Sequence, residues 1–444
     1  MTVDPTKPPA PLRGRINTLT ETQVDKLKEI WMRLMEAFRQ QGEAWPPPPP
    51  STKDSKKSSL WKSNASLDNG DSSNTKNSPE PKYLFFGTKA NPQWSSLPLE
   101  EAIVLIPGPR LFSTFWNMVA GDNPDAMVLR FLRARRWDVE ASYKMIMNTL
   151  RWRIHMRIDD IVALSETGIY NELELLKKGM GDQFLANLHS YKCVLGGPDK
   201  QGRGVCFANA RFHRKEDQDP EVVRIVVLFV MECARMIVHQ PIETCCVVFN
   251  MEGFTLANMD FELVKFMLVC FEAYYPETLG ACIIHKAPWV FSTVWAMITP
   301  MLDPVVASKI QFTKGIKELV QFIDLHVIPP FLTEKRAFKP IQILHTPPPP
   351  GTLARPTAPE YKDYETMIAE YMRYTRVWVR TNAPANDSER KQQALQYRHA
   401  AINAEEYLRG RTTYHSMGLA DVEKGRLMLK YAGKAPPLDI TDCV

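Results

Sequence analysis

Apolar residues step along residues 20–41 in threes and fours, so that Val24, Leu27, Trp31, Leu34 and Phe38 share one face of a helix. Thr20 and Gln23 stand ahead of it at capping-box spacing. Gly42 and the proline run 46–50 predict its end. The same period returns within 98–180. "DNPDAMVLRFLRARRWD" sets Met127, Val128, Phe131 and Leu132 on one face behind Asp and Asn caps, and "VEASYKMIMNTLRWR" repeats the pattern. A small helical domain is predicted there.

From about residue 185 the period changes. "YKCVLGGPDKQGRGVCFANARF" reads as two strands joined by a Gly/Pro/Asp turn. An apolar helix over 220–239 precedes "CCVVFN", a short continuous run of the kind a fully buried strand shows. A helix over 258–274 follows, with Asn258 as its cap and Asp260 and Glu262 in its first turn. "ACIIH" is a second buried strand, 290–302 a strongly apolar helix and "KIQF" a third strand. Strands alternating with helices imply right-handed crossovers and a mainly parallel sheet.

The polar stretches divide the chain. Residues 51–82 are rich in Ser, Lys, Asn and Asp with almost no apolar content, a disordered linker by composition. Proline returns in "HTPPPPG", and two amphipathic helices near 361–381 and 388–409 close the chain, the second capped by Gly410. Five segments result: 1–50 (helix and poly-Pro), 51–97 (linker), 98–180 (helical), 181–340 (α/β) and 341–444 (Pro-rich, then helices).

Composition adds little to this. The 444 residues are 44% hydrophobic, enough for a large core, and the net charge of +5 is too small to indicate nucleic acid. The eight cysteines include no C-x-x-C pair, so no zinc site is expected and buried thiols in a reducing compartment are. "MTVDPTKPPAPLRGR" lacks an apolar h-region, and "IVVLFVM" is too short to span a bilayer. The expectation is a cytoplasmic protein.

Catalytic and cofactor motifs fail. "GPDKQGRG" has Gly197 and Gly202 at P-loop spacing, but Arg203 and Gly204 stand where Lys and Ser or Thr are needed. The segment also joins strand to strand, whereas a phosphate loop opens a helix. There is no G-x-G-x-x-G after a strand, no H-E-x-x-H and no G-x-S-x-G. His285 reads as a packed strand-end histidine. No enzyme and no cofactor are expected.

Two helices are more apolar than a one-sided surface helix needs: 258–274 and 290–302. They are either core helices or the walls and lid of an apolar cavity. Three charged features stand against them. Glu277 lies in "AYYPETLG", between a helix and a strand that both look buried; Lys309 opens a strand; Arg130, Arg133, Arg135 and Arg136 end a helix. The residues alone leave open a structural Glu277–Lys309 ion pair and a solvated arginine face.

"LRFLRARRWDVEASYKMIMNTLRWR", "GPDKQGRGV" and "YYPETLGACIIHKAPWVFSTVWAMITPMLDPVVASKI" together resemble the CRAL-TRIO lipid-binding family, in its fungal phosphatidylinositol-transfer branch, over roughly residues 98–335. Y-Y-P-E, A-P-W, L-D-P and S-K-I fall in order at family spacing. The resemblance implies a helical N-terminal lobe on an α/β lobe whose mainly parallel sheet floors a hydrophobic lipid cavity. A gating helix at about 290–302 would close it. It also implies a phosphatidylinositol headgroup site at Glu277, Lys309, Arg135 and Arg136, with Phe291, Val294, Trp295 and Ile298 on the membrane-facing gate. Cationic donors suit a phosphodiester, and a carboxylate accepts from inositol hydroxyls.

The chain departs from the family pattern at Cys245 and Val247, which replace hydroxyl residues of phosphatidylcholine-carrying members. Glu252 replaces a basic residue, Val306 a threonine, and "VIPPFLTEKRAF" the usual Gly-Gly ending. The expected partner is phosphatidylinositol carried as cargo by a monomer in transient contact with intracellular membranes. A carrier of a sterol precursor or isoprenoid, and a regulatory protein recruiting partners through its tails, are the alternatives.

Overall fold

A computed structural model of the chain describes residues 12–43, 93–333, 357–423, 425–431 and 436–444. The linker 51–82 and the two proline-rich runs lie outside the described residues. None of the described helices is long and apolar enough to cross a membrane.

The first helix, α1 (Glu21–Ala37), begins as its capping box requires: Gln23 N–H donates to Thr20 Oγ1 at 3.3 Å and Thr20 N–H to Gln23 Oε1 at 3.0 Å. Four helices follow that matter for the site: α2 (Gly108–Val119), α3 (Pro124–Ala134), α4 (Val139–His155) and α5 (Ile158–Leu176). Asn123 starts α3 by accepting from the Asp125 and Ala126 N–H groups at 2.9 and 3.2 Å.

The central sheet has five strands in the order β1 (Cys193–Gly196), β2 (Val205–Asn209), β3 (Cys245–Asn250), β4 (Leu279–His285), β5 (Ile310–Thr313). Only the β1–β2 hairpin is antiparallel. Its turn is closed by Asp199, whose Oδ2 accepts from Arg203 Nε at 2.6 Å. The crossovers carry α6 (Pro220–Ala234), α7 (Phe261–Val269) and α8 (Phe291–Ile298). The buried run of β3 splits by its period of two. Cys246 and Val248 face a core completed by Leu319, Ile323 and Leu332, while Cys245 and Val247 face α8.

Several boundaries differ from expectation. Asn258 does not cap α7. Its Oδ1 accepts from the Thr255 N–H at 2.7 Å and its Nδ2 donates to the Arg211 and His213 carbonyls, leaving Asp260 to cap through the Leu263 N–H at 3.0 Å. The segment 270–274 is π-helical, and the gate helix is shorter than 290–302.

The termini are part of the fold. α1, α9 (Pro359–Trp378) and α10 (Ser388–Asn403) share one core with α2, α3 and α4. Trp31, Trp116 and Trp378 are fully buried there, and Trp116 packs on Tyr397 at 4.9 Å. Each such side chain contributes roughly 1.5–3 kcal/mol of burial. α10 stops at Asn403, and Gly410 serves a close approach instead, because a Cβ there would meet the Ala163 carbonyl at 2.7 Å. A second sheet, β6 (Ala420–Glu423), β7 (Arg426–Leu429) and β8 (Leu438–Asp439), follows.

Candidate functional site

The turn after the π-helical segment is pinned on both sides. Tyr274 stacks on Trp152 with ring centroids 4.1 Å apart, and Tyr275 Oη donates to Glu232 Oε1 at 2.7 Å. Thr278 Oγ1 closes the turn onto the Tyr275 carbonyl at 2.7 Å. Between them Glu277 takes a φ of +58°, a left-handed conformation that disfavours side-chain-bearing residues. The anchored turn holds its carboxylate over the helical lobe.

There it meets α3. Glu277 Oε2 accepts from Arg133 Nε at 3.4 Å, and the Glu277 carbonyl accepts from Arg130 Nη1 at 3.3 Å. Arg130 and Arg133 are three residues apart and so share a helix face. A second carboxylate, Glu243, completes the corner. It is buried, takes Arg133 Nη2 at 2.9 Å and Gln240 Nε2 at 2.7 Å, and pairs with Arg15. Three guanidiniums thus meet three carboxylates, because Asp122 Oδ2 also lies 3.7 Å from Arg130 Nη2. Burial, followed by the neighbouring cations, pushes Arg133 below its ordinary value; burial first, then Arg130, does the same to Arg15. Glu277 stays accessible at the rim, with 26% of its side chain exposed.

Of the four expected headgroup residues, Glu277 is at this corner. Lys309 is not ion-paired with it; its Nζ donates to the Leu279 carbonyl at 2.7 Å, two residues further along the chain. Arg135 and Arg136 are exposed, because Arg135 is the C-cap of α3 and Arg136 lies beyond the helix at a φ of +52°. Arg133 takes the position beside Glu277 instead. The three-residue step from Arg130 to Arg133 was the available signal. Glu243 had none: it reads as a polar residue before a strand.

The expected gate residues are on α8, turned toward the sheet. Phe291, Val294 and Ile298 are buried against the face carrying Cys245 and Val247, and Trp295 packs edge-on against Phe312 at 5.2 Å. The outward apolar residues here are Trp289, 88% exposed, and Met297, 49% exposed.

On the same sheet face lies a cavity of about 160 Å³. Cys206, Cys245 and Val247 floor it; Arg130, Pro276 and Thr278 bring it to the Glu277 corner. Met127, Phe131, Val230 and Phe271 supply apolar walls. An apolar cavity ending at a corner of guanidiniums and carboxylates suits an amphiphile with a polar head.

Comparison with known proteins agrees with this architecture. Residues 188–333 match the family model of the CRAL/TRIO domain and 85–148 that of the CRAL/TRIO N-terminal domain. The chain is 34% identical over 441 residues to a CRAL-TRIO domain-containing protein of Schizosaccharomyces pombe, covering 94% of each. It is 35% identical over 345 residues to the phosphatidylinositol transfer protein CSR1 of Eremothecium gossypii, covering 71% of this chain and 76% of that one. It is 32% identical over 201 residues to the SEC14 cytosolic factor of Yarrowia lipolytica, covering 42% and 38%.

Proposed function

The chain belongs to the CRAL/TRIO family, and on that premise we propose that it binds phosphatidylinositol and carries it between membranes in the cytoplasm. The observation that carries this reading is the corner at Glu277: an accessible carboxylate on a strained turn, set among desolvated guanidiniums beside an apolar cavity. The name of the 35%-identical relative supports it. Guanidiniums would hold the phosphodiester, Glu277 would accept from inositol hydroxyls, and Lys309 would exchange the Leu279 carbonyl for a phosphate oxygen.

Loading requires movement. Ligand cavities hold roughly 300–1,000 Å³, and this cavity holds about 160 Å³ with α8 seated on the sheet. Lifting Phe291, Val294 and Ile298 would extend the apolar floor. Two acyl chains of about 30 methylenes, at roughly 0.8 kcal/mol each, confine that step to a membrane surface. Trp289 and Met297 are the side chains that would touch it first.

The test is native mass spectrometry of protein incubated with mixed phosphatidylinositol and phosphatidylcholine vesicles. Phosphatidylinositol should be recovered. Glu277→Ala, Arg133→Ala and Lys309→Ala should each cut its loading roughly 10- to 100-fold, the worth of one charge-assisted bond. Variants that load like wild type would sink the assignment. The small cavity favours a compact neutral ligand as the second reading, and recovery of neutral lipid alone would establish it.

A further inference from the structure

The CRAL/TRIO domain match ends at residue 333, yet part of the cavity wall comes from beyond it. Val422, Leu427 and Ile440 line it with apolar surface; Arg398, Glu405 and Arg409 line it with charge. We propose that this C-terminal extension is the specificity wall of the cavity, with Val422 and Leu427 setting the room left for the apolar part of an amphiphilic ligand. The proposal rests on the lipid-carrier reading and goes beyond it, because it assigns selection of the apolar part to residues outside the matched domain.

A wall discriminates only if it is held, and this one is. Arg390 of α10 grips Asp125 of α3 through two bonds of 2.7 and 2.8 Å, with both side chains buried. Arg398 donates to the Gly121 carbonyl at 2.8 Å and the Thr441 carbonyl at 2.7 Å, tying the α2–α3 loop to the end of the chain. Arg409 donates to the Glu232 carbonyl at 3.1 Å, and the Thr413 N–H to Glu166 Oε1 at 2.7 Å. These bonds tie the extension to α3, the α2–α3 loop, α5 and α6.

The lining residues are fixed in turn. The Leu427 N–H donates to Thr441 Oγ1 at 2.9 Å and its carbonyl accepts from the Ile440 N–H at 3.0 Å. Leu429 is fully buried and belongs to the core that includes Val222 and Phe229 of α6. Leu427 lies two residues earlier, on the same strand face, and reaches the cavity. Both Val422 and Leu427 remain half-buried, so their side chains can be enlarged or trimmed.

The experiment loads the full chain from vesicles containing phosphatidylinositol and phosphatidylcholine, each as an equimolar series of acyl lengths, and reads bound species by native mass spectrometry. Leu427→Ala and Val422→Ala should shift the bound profile toward longer chains, the long-to-short ratio rising roughly fourfold for each extra methylene accommodated. Leu427→Trp should shift it toward shorter chains. The headgroup preference should not move. The alanine variants only remove atoms, so they decide the matter even if the tryptophan variant fails to fold. Folded variants with the wild-type chain profile overturn the wall. A shifted profile on a lipid other than phosphatidylinositol upholds the wall and overturns the headgroup reading. A wild-type chain that loads no lipid overturns both.

Discussion

Two clusters of buried arginine meet carboxylates on the same helix, and they behave in opposite ways. At the start of α3, Asp125 is 2% exposed and Arg390 1%. Their fork is bidentate, Arg390 Nη1 also donates to Thr375 Oγ1 at 2.6 Å, and Trp31 Nε1 donates to Asp125 at 2.7 Å. The Tyr371 and Trp378 rings face the guanidinium at 4.3 and 4.4 Å. Burial acts against this charge, but Asp125 more than offsets it, and Arg390 is raised above its ordinary value. At the end of α3, burial and like charges win, and Arg130 and Arg133 are lowered. The first cluster is complete in itself. The second is loosely paired, with 3.4 Å from Arg133 to Glu277 and 3.7 Å from Arg130 to Asp122, and it is partly open at Glu277.

Breaking the complete cluster should have the largest effect. Asp125→Ala leaves Arg390 buried without a carboxylate, and urea unfolding should register a loss of about 3–5 kcal/mol. Glu277→Ala, at the half-open corner, should cost under about 1 kcal/mol in the same assay, because Arg133 keeps Glu243. Equal losses would erase the distinction between a structural pair and a binding corner.

Acid titration probes a third buried cluster, which anchors the Glu277 turn through Tyr275. Glu232 is buried between Arg153 and Arg235, with Nη1–Oε1 and Nη1–Oε2 contacts of 2.9 Å. Burial raises its pKa, but the two guanidiniums and Tyr275 outweigh that and hold it well below its ordinary 4.5. The unfolded chain therefore binds the proton more readily. The stability Glu232 contributes is complete above about pH 4.5 and is lost as pH falls below it. Urea midpoints measured from pH 6 to pH 3 should fall for wild type. Glu232→Gln should begin lower and lose less across that interval; a parallel fall would show that other groups govern acid unfolding.

Sequence revealed the parts of the fold that local rules govern. The α1 capping box, the buried strands and the alternation that gives a parallel sheet depend on neighbours a few positions away. The motif order that marks the family is local in the same sense. What escaped depends on helix phase or on distant pairing. Arg133 rather than Arg135 faces Glu277 because α3 ends one residue before Arg135. Asp125 and Arg390 are 265 positions apart, and nothing near either announces the other. The strands "ADVE", "RLML" and "LD" are short and mixed in polarity, so no alternation marks them, yet they reach the cavity through Val422 and Leu427. The helices at the two ends looked like appendages for the same reason: their partners are each other and the helical lobe.

The smallest expected effect tests the comparison at its edge. Arg135 and Arg136 carry the basic run that resembles the family's headgroup residues, but both are exposed. Exposed cations in high dielectric contribute a few tenths of a kcal/mol to any one contact. An Arg135→Ala, Arg136→Ala double variant should therefore change phosphatidylinositol loading by less than about twofold and stability by under about 0.5 kcal/mol. Arg133→Ala, two positions earlier, should lose most of its loading. If the double variant loses as much, the headgroup lies outside the corner, on the exposed end of α3, and the two buried arginines of that helix are structural after all. If only Arg133 matters, affinity follows the desolvated guanidinium and not the number of arginines in the run.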